Sequence, residues 1–251
     1  MNLTKLGCIV SVNVGTPRQV HTGSAAVLTA IYKSAVQGRI ALRGNNLEGD
    51  RQADLTVHGG RHKAVYAYPQ EHYAYWHAKL QQTELPPGMF GENLTTEGIT
   101  EDQIYIGDRV RIGSAVLQVT QPRMPCYKLG IRFGRPDMVK LFWQSGLSGF
   151  YFSVIEEGEI AAGDNIERIA EAVEHVSVAD RRVIAHGDVE PGLIAACTRF
   201  SPQGRMERTA SGAVAYFAFL AFVLTAAGVD SASASVSASP SPAPGNFSST
   251  S

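Results

Sequence analysis

Cysteine is scarce in this chain. Its 251 residues include only three, Cys8, Cys126 and Cys197, which lie far apart with no CxxC among them. So sparse and odd a set excludes a disulfide framework and fits a reducing compartment. Charge of one sign is lacking too. The 22 Lys and Arg against 23 Asp and Glu leave a net charge of -1, which gives no broad basic face for nucleic acid. Any cationic site must therefore be local, and nucleic acid is not an expected partner. There is no GxGxxG dinucleotide fingerprint and no GxSxG elbow, so a Rossmann-type cofactor site and a Ser-His-Asp hydrolase are both set aside. The opening MNLTKLGCIVSVNVG is too short in apolar run for a secretory signal, which makes the cytoplasm the expected location. Long apolar runs are absent but for one, Ala213 to Val229.

The rest of the composition is that of a packed globular protein, 44% hydrophobic and 18% charged, sized for one large domain or a domain with a small appendage. The N-terminal two-thirds reads as short strands separated by turns. Cys8 to Val14 is a β-branched run closed by Gly15-Thr16-Pro17, and Gln37 to Leu42 alternates like a strand. Lys63 to Tyr68 (KAVYAY) predicts another strand. A helix from Pro69 to Leu80 follows, with proline at its first position and Tyr73, Trp76 and Leu80 on one packed face. Downstream, IYIG-D-RVRIG-S-AVLQVT predicts a three-stranded meander. A second helix is expected from Arg135 to about Gln144, and two last strands end near Ile169. Many short strands with two isolated helices predict a mainly β, α+β fold: a closed or nearly closed barrel. Residues 171–208 carry helical patterning and predict a small helical appendage. In 209–251 the apolar run precedes a Ser-, Ala- and Pro-rich tail that cannot bury enough surface to fold. The run falls a little short of the ~20 residues of a membrane span. A membrane anchor, a helix packed on the body and a non-native extension all remain open for it.

Three segments concentrate the residues that carry chemistry. His58-Gly59-Gly60-Arg61-His62-Lys63 sets two permissive glycines among four potentially cationic side chains. That combination suits an anion, because glycine lets backbone N–H groups come close and Arg and Lys neutralise charge. A solvated polar turn would need the same residues. In PPGMFGENL, Pro86 to Leu94, Gly91-Glu92-Asn93 offers an acceptor and an amide to a ligand, or simply a tight turn. In TQPRMPCYKLG, Pro122 and Pro125 hold Cys126 in a stiff loop, with Arg123 and Lys128 close in sequence. A cationic setting favours the thiolate, which binds soft metals or attacks electrophiles. Cys8 and Cys197 sit in apolar runs and are expected to be buried. For zinc, the His58/His62 pair straddles a Gly-Gly and the His72/His77 pair does not share a helix face, so three or four ligands do not assemble.

Taken in series, GDRQAD, HGG with KAVYAY, GENL and IGDRVRIGSAVLQVTQPRMPC resemble the MOSC family, the domain found at the C-terminus of molybdenum-cofactor sulfurases. The resemblance covers about Ser24 to Ile169. It leaves residues 1–23 as an N-terminal strand region. Within the family, PPGMFGENLTTEGITEDQIYIGD and the later VSVADRRVIAHGD, PGLIAAC and FSPQGRMER look like a YiiM-like subgroup with a short three-helix C-terminal domain, here 171–208. A tryptophan expected in the last of these motifs is absent, with Met206 near its place. The resemblance implies a β-barrel that binds the molybdenum cofactor, with Cys126 as the molybdenum ligand; soft sulfur suits that role. It further implies that His58, Gly59, Gly60, Lys63 and Arg123, with Arg51 and Asn93, hold the cofactor. Asp50 and Asp54 are expected to fix loops. The implied reaction is reduction of N-hydroxylated compounds, such as hydroxylamino-purines, to amines. Three cysteines cannot supply an iron–sulfur cluster beside such a ligand, so a separate flavin-type reductase is the expected electron donor. Pyridoxal phosphate is not an expected cofactor. The alternative is a sulfur carrier or cofactor-binding module, with a persulfide on Cys126.

Overall fold

The computed structural model of the chain describes residues 3–23, 25–53 and 60–180. The expected helical appendage beyond residue 180, the apolar run and the tail lie outside the described residues. No helix among the described residues is long and apolar enough to cross a membrane.

The strands are β1 (Thr4–Val14), β2 (Arg18–Thr22), β3 (Ala25–Thr29), β4 (Ser34–Val36), β5 (Ile40–Arg43), β6 (Asn46–Leu47), β7 (Val65–Pro69), β8 (Leu94–Glu97), β9 (Arg109–Ile112), β10 (Ala115–Pro122), β11 (Phe150–Glu156), β12 (Gly158–Ile160) and β13 (Asn165–Ala170). The helices are α1 (Glu71–Leu80), α2 (Tyr127–Phe133) and α3 (Met138–Ser145). In the order β13-β9-β10-β11-β7-β8-β1 the strands hydrogen-bond side by side, and β1 pairs again with β13. That second pairing closes a seven-stranded barrel, as the sequence predicts. β4 is added beside the far end of β1 at Val12–Val14. All barrel pairs are antiparallel except β7 with β8. Parallel neighbours need a crossover, and α1 with the loop after it provides one. The barrel thus contains a single βαβ unit, which the strand-and-turn reading does not anticipate.

β7 shows how the sequence builds the two cores. Alternate residues of a strand point to opposite faces. Ala67 and Val65 face the barrel interior with Phe150, Phe152, Leu117 and Ile166. Tyr66 and Tyr68 face outward into an aromatic layer with Trp76, Phe90, Phe133 and Phe142, under the three helices. All five residues of β7 are buried. Each large apolar side chain so enclosed is worth ~1.5–3 kcal/mol.

Several boundaries depart from the expectations. Pro69 ends β7 and does not open a helix; α1 begins at Glu71 after Gln70. The strand register with Thr96 holds Pro69 in extended form. Gln37 to Leu42 is not one strand, because Gly38 adopts φ 82° and separates β4 from β5. The first member of the expected meander, Ile104 to Ile106, forms no strand and only bridges Ser177 through Tyr105. The second helix begins at Met138, later than Arg135. The β2–β3 hairpin and α2 were not foreseen. Cys8 is half-buried, where an apolar run predicted burial, because β1 turns it toward the outer face and Glu97.

Candidate functional site

A cavity of about 90 Å³ opens beside the end of β10, and Cys126 lines it. The chain leaves the barrel at Pro122, crosses Arg123-Met124-Pro125 and starts α2, with Cys126 in extended backbone at the helix cap. Leu129 donates its N–H to the Cys126 carbonyl at 2.9 Å and fixes that corner. The thiol is free and half-exposed.

Four other sequence-predicted residues, Arg51, Lys63, Asn93 and Arg123, line the same cavity. Arg123 is buried, lies 4.6 Å over the Tyr66 ring and donates to the Phe90 carbonyl. Burial opposes its charge, but the neighbouring Tyr66 and Tyr151 hydroxyls and the Cys126 thiol outweigh that. Its pKa stays above the ordinary arginine value, so it is a fixed cation. Asn93 acts as a strut. It donates to Asp50 Oδ2 at 3.0 Å and accepts from the Tyr66 N–H at 3.2 Å, joining two walls of the cavity. Arg51 is exposed and donates to the Asp50 carbonyl at 3.0 Å. Lys63 ends a short 3-10 turn begun by Gly60, and Gln52 reaches across to its carbonyl at 3.3 Å. Gly60, at φ 94°, is exposed and shapes that turn without lining the cavity. His58, Gly59 and Asp54 lie outside the described residues.

Sequence reasoning missed part of the wall. Lys33 lines the cavity and binds Asp50 Oδ1 at 2.5 Å, with both side chains buried. Burial pulls the Lys33 pKa below its usual value, against the opposing pull of Asp50. Asp50 also accepts from the Gly15 N–H at 2.8 Å, so it fixes loops as expected. Tyr66 and Tyr151 complete the aromatic side, their rings 5.1 Å apart. Burial raises the pKa of both, opposed by Arg123. No sequence signal links Lys33 to Cys126; only barrel closure brings them together.

Glu92 is the organiser of the GENL loop. Wholly buried, it accepts from the Tyr73 hydroxyl, the Gly88 and Phe90 N–H groups at 2.7 and 3.0 Å, and Thr95 at 3.1 Å. Burial raises its pKa, opposed by these donors. Gly91, at φ 78°, allows the turn, where a Cβ would meet Ile31 at 2.8 Å. The loop therefore presents the Phe90 carbonyl to Arg123 and Asn93 to Asp50. Among the described residues no group of three or more His, Cys, Asp or Glu comes together as a metal site.

The family model of the MOSC domain matches residues 54–167. "Uncharacterized protein YflK" of Bacillus subtilis (strain 168) is 43% identical over 170 residues, which are 68% of this chain and 76% of that protein. The chain belongs to the MOSC-domain family. The crystal structure of YiiM from Geobacillus stearothermophilus superposes with a TM-score of 0.64 at 32% identity, covering 85% of this chain and 99% of that one. A protein of Gibberella moniliformis (strain M3125 / FGSC 7600) named "Reductase" is 33% identical over 204 residues, 78% of this chain but only 35% of its own length. The matched segment contains Lys63, Asn93, Arg123 and Cys126, whereas Lys33, Asp50 and Arg51 come from the chain before it. The N-terminal strands thus complete a cavity that the family segment walls only in part.

Proposed function

We propose that this protein is a molybdenum-cofactor-binding oxidoreductase that reduces N-hydroxylated compounds to amines, with Cys126 as the molybdenum ligand. The observation that carries this reading is the meeting of one free thiol and several cations, Arg51, Lys63, Arg123 and Lys128, in a single cavity. The donor set fits the group: a thiolate suits a soft metal, and cations suit the phosphate and dithiolene of the pterin. Membership of the MOSC family and a relative named as a reductase point the same way. His58, Gly59 and Gly60 belong to the cofactor-binding set in this reading, with Arg51 and Asn93.

When bound, the cofactor supplies the two-electron chemistry. The net change is R–NHOH plus two protons and two electrons giving R–NH2 and water. The chain's own part is to bind and orient. Arg123, locked between Tyr66 and the Phe90 carbonyl, keeps a positive charge at a set place. Asp50 and Asn93 hold the opposite wall, and the tyrosine layer excludes water from the side facing α3. Electrons come from a separate flavin-type reductase, and the reaction takes place in the cytoplasm.

The test is the molybdenum and pterin content of anaerobically purified protein, wild type against Cys126→Ala. Near-stoichiometric metal in the wild type, lost or labile in the variant, is expected. Its absence from both, in a host that makes the cofactor, would sink the reading. A stable extra sulfur atom on Cys126 without molybdenum would replace it with the sulfur-carrier alternative. Turnover supported by no purified flavin-type reductase would remove the proposed partner.

A further inference from the structure

Two arginines, Arg18 and Arg132, share one aromatic ring. Arg18 opens β2 and lies with its guanidinium carbon 3.6 Å from the centroid of the Tyr32 ring. Arg132, in α2, lies 4.7 Å from the same centroid. Three other arginines sit on carboxylates: Arg39 on Asp164, Arg135 on Asp137, Arg168 on Asp108. No carboxylate among the described residues lies within ion-pair distance of Arg18 or Arg132. Further, Arg132 Nε is shut off from solvent and has no hydrogen-bond partner there. A buried, unsatisfied donor on a cation costs more than a neutral one.

The two like charges are therefore gathered on one ring with no ion-pair partner among the described residues. Burial lowers the Arg132 pKa and Arg18 lowers it further, opposed by Tyr32 and by the more distant Glu92 and Tyr73. A bound anion would offset the repulsion from Arg18. The shared centroid limits the separation of the guanidinium carbons to at most the two distances end to end, 3.6 and 4.7 Å. One tetrahedral oxyanion at the edge of the ring can accept from both guanidinium groups with N–H···O contacts of about 2.8 Å. The place matters as much as the charge. Tyr32 stands between Ile31 and Lys33, which both line the Cys126 cavity, and Arg18 is paired in register with Thr29, which also lines it.

We infer that Arg18, Tyr32 and Arg132 form a phosphate-binding subsite at the edge of the Cys126 cavity, taking a substrate that is a nucleoside monophosphate in preference to its free nucleoside. The inference rests on the oxidoreductase reading for the word substrate, but the binding site stands without it. The base enters the cavity, and the 5′-phosphate lies across one residue's breadth on the two guanidinium groups. Tyr32 holds them by cation–π contact, and its hydroxyl donates to the Ile131 carbonyl at 3.5 Å, tying the ring to α2.

The test uses the full-length protein and calorimetric titration with AMP, adenosine and inorganic phosphate. Wild type, Arg18→Gln, Arg18→Lys and Arg132→Gln are compared, and molybdenum and pterin are measured on the same preparations. AMP should bind at least about tenfold more tightly than adenosine, with phosphate competing. Either Gln substitution should remove most of that preference while leaving adenosine affinity unchanged, and Arg18→Lys should keep only part of it, because lysine cannot grip bidentately. Arg18 is exposed, so its variants should keep the wild-type unfolding temperature even if Arg132→Gln does not. Equal binding of AMP and adenosine, or a preference that survives both Gln substitutions, would overturn the subsite. Cofactor content that falls in these variants would overturn it as a substrate site, since the phosphate recognised would be the cofactor's. An AMP preference in protein that never carries molybdenum would refute the proposed function and leave the subsite standing.

Discussion

Replacing Glu92 by Gln is a near-isosteric change with a calculable cost. The carboxylate takes three donors on Oε1, from Tyr73, Gly88 and Thr95, and one on Oε2, from the Phe90 N–H. An amide that keeps the first three must turn its NH2 group toward the Phe90 N–H. That donor then faces another donor at a place with no access to water, since Glu92 is fully buried. A buried donor left without an acceptor costs about 1–3 kcal/mol. For a chain of this size each kcal/mol lowers the unfolding temperature by roughly 2–4 °C. Glu92→Gln should therefore unfold about 2–12 °C below wild type, measured by circular dichroism with urea unfolding as a check on ΔG. The pH dependence supplies the second half. Burial raises the Glu92 pKa, so its contribution to stability is fully present below the usual glutamate range and is lost as pH rises through the raised value. The gap between wild type and variant should thus narrow from acid toward neutral pH. A variant as stable as wild type, within about 0.5 kcal/mol, would refute the role given to this carboxylate.

Two more predictions concern the cavity walls. Lys33→Met strands Asp50 with only the Gly15 and Asn93 donors and should cost about 3–5 kcal/mol in urea unfolding, whereas Lys33→Met with Asp50→Asn should cost clearly less. Additive losses in that double-mutant cycle would show that the pair is not coupled. Tyr66, Tyr68, Tyr73 and Tyr151 all have pKa values raised by burial, so four of the nine tyrosines should resist ionisation in an ultraviolet titration until the protein unfolds. Because the fold holds protons that the unfolded chain releases, stability should fall as pH climbs past about 10. Complete ionisation with the circular dichroism unchanged would contradict the closed aromatic layer.

How much of this was legible in the sequence depended on range. Cys126, Arg123, Asn93 and Lys63 sit in motifs whose order marks the family, and the structure brings them to one cavity. The face of α1 was readable because Tyr73, Trp76 and Leu80 repeat at helical spacing. α2 was hidden, since the prolines before Cys126 suggest a loop and the Gly130 inside the helix weakens its pattern. The β2–β3 hairpin carried no alternation to read, because nearly all of its residues are exposed or partly so. Lys33 and Tyr32 were invisible as site residues for another reason. They reach Cys126 and Arg132 only through long-range pairing, which no local pattern reports. Pro69 misled because a proline is tolerated both in the first turn of a helix and at the end of a strand, beyond the last ladder bond that would need its missing N–H.

The seam between β1 and β13 sets when the molecule can be finished. It joins Thr4 to Arg168, so the first strand made must wait for the last before the ring closes. During synthesis β1 has β4 and β8 as earlier partners, but its opposite edge stays open until residues 165–170 leave the ribosome. An open strand edge is a template for unwanted pairing with other chains. A nascent or truncated chain ending before Asn165 would expose two such edges, on β1 and β9. Closure of the ring and the covering of both open edges thus arrive together, with one strand.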